Sequence, residues 1–201
     1  MPQLLSQNTL NIASRVPEIV NFNSKLNGVG IGSSVVTFTF FIRRVTEYFI
    51  DTTVFKTVSD VASKTVRFYI RSDSCFVEIS NESHRVGDCS YNHLYKWKFF
   101  AVTLEKVVGA STGTATVVTG SPASESSLQG SETKITFDIP QNLNFLNKNS
   151  NIEFNEVFKG NAFELSQFNV MDYNLNRKDT LQYINDVPKD CDYSCVFCTK
   201  K

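Results

Sequence analysis

The chain has 201 residues, 41% of them apolar and 20% charged, with 20 basic residues set against 20 acidic ones. That balance suits one sizeable domain with a buried core and excludes a nonspecific nucleic-acid binder, which needs a basic excess to neutralise phosphates. The longest apolar stretch, around Val35 to Ile42, is far short of a bilayer span, so no membrane insertion is expected.

The first residues, M-P-Q-L-L-S-Q-N-T-L-N, lack the charged-then-apolar order of a signal peptide. Synthesis in the cytosol is the expectation, with a virion or an extracellular assembly as possible destinations. Residues 1–30 read as an N-terminal arm or a short helix broken at Pro17. The glycines of G-V-G-I-G (Gly28, Gly30, Gly32) precede a strand instead of following one, the wrong order for a dinucleotide cradle.

Residues 31–187 read as one β domain. Val36, Phe38, Phe40 and Ile42 alternate with Thr37 and Thr39, as a strand with one buried face does. R-V-T-E-Y-F-I-D-T-T-V-F fits either a strand or a short helix. Val66, Phe68 and Ile70 point one way, against Arg67, Tyr69 and Arg71, and Cys75, Val77 and Ile79 share a face in the next run. The tight connection S-D-S makes the two a hairpin. Ser80 to Asn92 is polar and reads as a loop; it holds His84 and Cys89, and the second histidine, His93, follows directly. In K-W-K-F-F-A-V-T-L the period places Trp97 inward, with Lys96 and Lys98 towards solvent. T-G-T-A-T-V-V-T is its hairpin partner. Gly120 to Glu132 has almost no apolar content and reads as an exposed loop. Ile135, Phe137 and Ile139 resume the alternation before Pro140, and the Asn-rich last third offers short strands at I-E-F and F-E-L-S-Q-F-N-V-M. Together these predict an all-β fold, an antiparallel two-sheet sandwich of jelly-roll type.

Residues 188–201 form a tail with Cys191, Cys195 and Cys198 spaced C-x3-C-x2-C and Phe197 before the last cysteine. The spacing is similar to the cluster motif of radical SAM enzymes, in which three thiolates hold three irons and the fourth iron meets the cofactor. That family builds an α/β barrel after its motif, whereas three residues follow here in a β-rich chain. Zinc is a second candidate: Cys89, His93, Cys191, Cys195 and Cys198 supply the nitrogen and sulfur ligands that a tetrahedral site takes. A disulfide between Cys89 and the tail, or plain thiols, are the other two; Cys75 is assigned to the core. No cofactor is expected beyond that possible zinc.

No catalytic motif stands out among the loops, and an enzyme is not expected. The leading expectation is a non-enzymatic structural subunit that self-assembles, as a homo-oligomer or with other subunits, in a virion coat or appendage. A lectin-like or receptor-binding β-sandwich is the alternative, its site on loops.

Overall fold

A computed structural model describes residues 19–21, 34–44, 52–58, 66–79, 81–89, 97–106, 109–121, 129–138, 151–154, 163–171 and 174. In chain order the strands are β1 (Ile19–Asn21), β2 (Val35–Arg44), β3 (Thr52–Val58), β4 (Val66–Arg71), β5 (Ser74–Ile79), β6 (Glu82–Asp88), β7 (Trp97–Lys106), β8 (Thr112–Ser121), β9 (Gln129–Asp138), β10 (Asn151–Phe154) and β11 (Phe163–Met171). They form two antiparallel sheets, β1-β10-β3-β4-β5-β6 and β11-β2-β7-β8-β9. Among the described residues there is no helix, and the architecture is the antiparallel two-sheet sandwich that the alternation predicts.

Aromatic side chains fill the space between the sheets. Phe38, Phe40, Phe100 and Phe168 come from the five-stranded sheet, and Phe55 and Phe68 meet them from the six-stranded one; all are buried. Phe40 is the hub: its ring lies 4.9 Å from Phe68, 5.4 Å from Phe55, 5.6 Å from Phe100 and 6.0 Å from Phe168. Edge-to-face and offset pairs at these separations add dispersion and quadrupole attraction to the area buried. Gly113 makes room at the far edge, where a Cβ would stand 2.7 Å from the ring of Phe137 on the neighbouring β9.

The centre of the five-stranded sheet is buried on both faces. Thr37, Thr39, Phe41, Phe99, Ala101 and Thr103 lie on the side away from Phe40 and are all shielded from solvent. The Thr37 and Thr103 hydroxyls satisfy each other at 2.9 Å, which removes the cost of leaving either unpaired.

The structure corrects three expectations, on β6, on the β8–β9 connection and on Lys98. Glu82–Asp88 is strand β6, not loop: it is the outer strand of its sheet, so of its seven residues only Val86 is buried, and the apolar alternation that marks a strand is missing. β8 runs to Ser121 and the outer strand β9 starts at Gln129, inside the stretch expected to be a loop; Thr119 and Ser131 hydroxyls bond at 2.6 Å across the pair. Thr52–Val58 is a strand, which decides the helix-or-strand ambiguity there. Lys98 shares the inward face of Phe100, two residues on, and so stands half-buried at the margin between the sheets instead of pointing out to solvent. Ile19–Asn21, inside the stretch read as an arm, pairs with β10 at the other outer edge. The G-V-G-I-G segment, Ile139, His93 and the C-terminal tail lie outside the described residues.

Candidate functional site

The cysteine pairing differs from the expected one. Cys89, the first residue after β6, forms a disulfide with Cys75 on β5, their Cα atoms 5.6 Å apart. The hairpin register brings this about: Cys75 faces Gly87, and a bulge beside it turns Val86 into the core and carries Cys89 over the same face. A half-cystine has no thiolate to give a metal, so Cys89 is not available to the zinc set that the sequence put it in. Cys191, Cys195, Cys198 and His93 fall outside the described residues, and among those described no three His, Cys, Asp or Glu side chains are grouped to hold a metal ion. His84 stands on β6 opposite Val77, its Nε2 3.9 Å from a Glu82 carboxylate oxygen.

Beside the disulfide the two sheets are pinned together. Lys98 of β7 donates from Nζ to the backbone carbonyl of Asp88 in the other sheet and lies over the Phe100 ring at 5.7 Å. The Cys89 N–H donates to the Asp73 carbonyl at 2.7 Å. Burial holds the Lys98 ammonium below the ordinary lysine value of 10.5; Asp88 pulls it back up, and Arg85 lowers it further. In the window between that depressed value and 10.5, the unfolded chain carries a proton that the folded chain has lost. Stability therefore rises with pH across the window and is flat below it. We expect wild type to gain stability relative to Lys98→Met as pH climbs towards 10.5, measured by urea denaturation with free thiols alkylated. A difference that does not change with pH would contradict the buried placement.

The outer face of β3, β4, β5 and β6 presents a different chemistry. Antiparallel register sets Thr53, Tyr69, Phe76 and Arg85 in one row, and Lys56, Arg67, Glu78 and Ser83 in the next. Tyr69 and Phe76 stack with centroids 5.1 Å apart and planes 11° from parallel. The Arg67 guanidinium lies over the Tyr69 ring at 4.4 Å, a cation–π contact that, with Phe76, leaves Tyr69 only 7% exposed on an outward face. Arg67 is itself fixed, donating from Nε to Thr53 Oγ1 at 2.6 Å and from Nη1 to Glu78 Oε2 at 3.4 Å. Ser83 donates to the same carboxylate oxygen at 3.4 Å, and Arg85 Nε donates to Ser74 Oγ at 2.9 Å. Lys56 and Glu153 pair at 2.9 Å at the border of the face. The result is a stack in which Tyr69 is buried and Phe76 is the part-exposed ring, set in a frame of donors and acceptors. The period of β4 put Arg67 and Tyr69 on the outward side, but Phe76 joins them only through the hairpin register.

The sequence matches no protein-family model and no curated relative. Solved structures do share its architecture. The binding domain of botulinum neurotoxin DC in complex with SialylT superposes with a TM-score of 0.52 at 15% identity, covering 86% of this chain and 40% of that one. The same domain in complex with rat synaptotagmin II gives 0.51 at 14%, over 86% and 40%. A structure of botulinum neurotoxin type C, whose route into cells is dependent upon interaction with two ganglioside molecules, gives 0.52 at 14%, over 84% and 39%. The likeness is one of fold. The chain spans about two fifths of the length of each of these neighbours.

Proposed function

We propose that the chain is a non-enzymatic recognition module that binds a saccharide on the outer face of the six-stranded sheet. The observation that carries this is the Tyr69–Phe76 stack, set on an outward sheet face among Arg67, Glu78, Ser74 and Arg85. A sugar ring has an apolar C–H face and a rim of hydroxyls. It needs an aromatic surface beside planar groups that donate and accept hydrogen bonds, and fixed ones cost the least entropy on binding. The fold neighbours support the same class, since they are binding domains with a sialylated and a ganglioside ligand among their partners.

Self-assembly has less support. Assembly through strand edges needs edges that accept another strand. Glu82, Arg85 and Asp88 are exposed on β6, which also carries a bulge, and Glu132, Lys134 and Asp138 are exposed on β9. Charges and bulges at an edge discourage pairing with a second sheet.

The test is retention on a panel of immobilised neutral and sialylated oligosaccharides, followed by titration of Phe76→Ala. Losing one stacking ring should weaken binding about tenfold, with little change in stability because Phe76 is partly exposed. Retention on no member of the panel, or affinity unaltered in Phe76→Ala, would overturn the proposal. Sedimentation as a large closed particle would restore the assembly alternative.

A further inference from the structure

We infer that the Cys75–Cys89 disulfide is the staple that holds edge strand β6, and with it the rim of the candidate face, so that the face matures in an oxidising compartment. The inference rests on the recognition proposal only for its binding arm; the staple itself stands on the geometry of β6.

Among the described residues β6 has a hydrogen-bonded neighbour on one side only, and Val86 is its one buried side chain. Hydrophobic burial therefore does little to keep it in place, and outer strands of this kind are where local opening begins. Besides the ladder and the side-chain hydrogen bonds to β5, three further contacts hold its C-terminal end. They are the disulfide at Cys89, the Cys89 N–H to the Asp73 carbonyl, and Lys98 on the Asp88 carbonyl. Of these only the first is covalent. The residues that β6 contributes to the face, Ser83 and Arg85, lie within a few positions of that anchor, and both hydrogen-bond to side chains of β5.

Cys75 is fully buried and Cys89 nearly so, both within the hydrophobic core. A bridge in that position is shielded from attacking thiolates once the fold has closed, as structural disulfides are and regulatory ones are not. It has to be made while the thiols are accessible. Its formation is an exchange: the Cys75 and Cys89 thiols give up two protons and two electrons to a protein or small-molecule disulfide, which leaves as two thiols. The reducing cytosol opposes that step. The compartment so inferred is an oxidising one, in place of the cytosol expected from the N-terminal residues.

The experiment compares the full chain oxidised in a glutathione-disulfide buffer with the same chain reduced, and with Cys75→Ala/Cys89→Ala. Peptide mapping should recover a Cys75–Cys89 linked pair from the oxidised sample. Amide hydrogen exchange over Glu82–Asp88 should run about tenfold faster once the bridge is gone than any general loss of stability explains, so that β6 exchanges ahead of β7 and β8. Retention on the oligosaccharide panel should fall in step. Failure to find the linked pair, or unchanged exchange in β6, overturns the inference. Exchange in β8 accelerated as much as in β6 also overturns it, because the bridge would then act on the whole fold and not as a staple of one edge. If the double variant does not fold, the reduced wild-type chain, with its native side-chain volumes, supplies the same comparison. Loosening of β6 with no retention in either state would leave the staple standing and sink the recognition proposal.

Discussion

Phe40→Ala is expected to lower the free energy of unfolding by about 4 kcal/mol, the middle of the range for emptying a buried aromatic site. Phe40 is fully buried and has four aromatic neighbours, Phe55 and Phe68 across the sandwich and Phe100 and Phe168 in its own sheet. Truncation removes contacts with all four at once. The walls of the hole are strands in two hydrogen-bonded sheets, which cannot move together without breaking register, so little of the cavity can close. Domains of this kind hold about 5–15 kcal/mol in total, and such a loss would bring the variant near its unfolding threshold. Urea denaturation should show a lower midpoint with an unchanged slope. Phe40→Leu, which keeps part of the volume, should lose clearly less. A deficit below about 1 kcal/mol for Phe40→Ala would mean that the six-ring cluster is not the packed centre described here.

Most strands in the middle of a sheet announced themselves, as did the edge strand β11, whereas the edge strand β6 and the start of β9 did not. In β4 and β5, Val66, Phe68, Ile70, Cys75, Val77 and Ile79 are all buried, as their alternation requires, because one face meets the core and the other meets water. β6 and the first half of β9 lack that signature. An outer strand is tied down by backbone hydrogen bonds on one side and needs few apolar residues, so composition alone makes it look like loop. The opposite failure occurs in β2 and β7. Thr37, Thr39 and Thr103 occupy positions that alternation assigns to water, yet all are buried, and the Thr37–Thr103 hydroxyl pair shows how two of them are accommodated.

The candidate face was legible by halves. The period of β4 sets Arg67 and Tyr69 outward, and the S-D-S turn implies the hairpin that lays Phe76 beside Tyr69. Counting that register one strand further, through β6, would have set Cys89 beyond the end of β5 on the opposite face from Cys75, and the bulge is what brings the two together. Reading Ser80 to Asn92 as loop removed that strand and left Cys89 without its partner. Lys98 was misplaced for a simpler reason. A cation was assumed to face water, although its parity with Phe100 already directed it inwards. The bulge at Val86 was not legible, since a one-residue slip depends on the packing that it serves.

Removing the disulfide, either by reduction or in Cys75→Ala/Cys89→Ala, is expected to cost about 3 kcal/mol, the value for a closed loop of about 15 residues. The bridged cysteines are 14 positions apart. In the native chain the hairpin of β5 and β6 already brings them together, so the bridge adds few contacts that the ladder would lack. Its effect falls on the unfolded chain, whose freedom it restricts. Two observables separate that account from a loss of native packing. The urea slope should increase without the bridge, because the uncrosslinked unfolded chain exposes more surface. The unfolding rate should change less than the folding rate if the hairpin is already formed in the transition state, and the reverse holds if it forms late. The double alanine variant also leaves a small void where two buried sulfurs stood, so it should be somewhat less stable than the reduced wild type. An unchanged midpoint on reduction would show that the ladder alone confines this stretch as tightly as the covalent link does, and that the unfolded chain gains nothing from its removal.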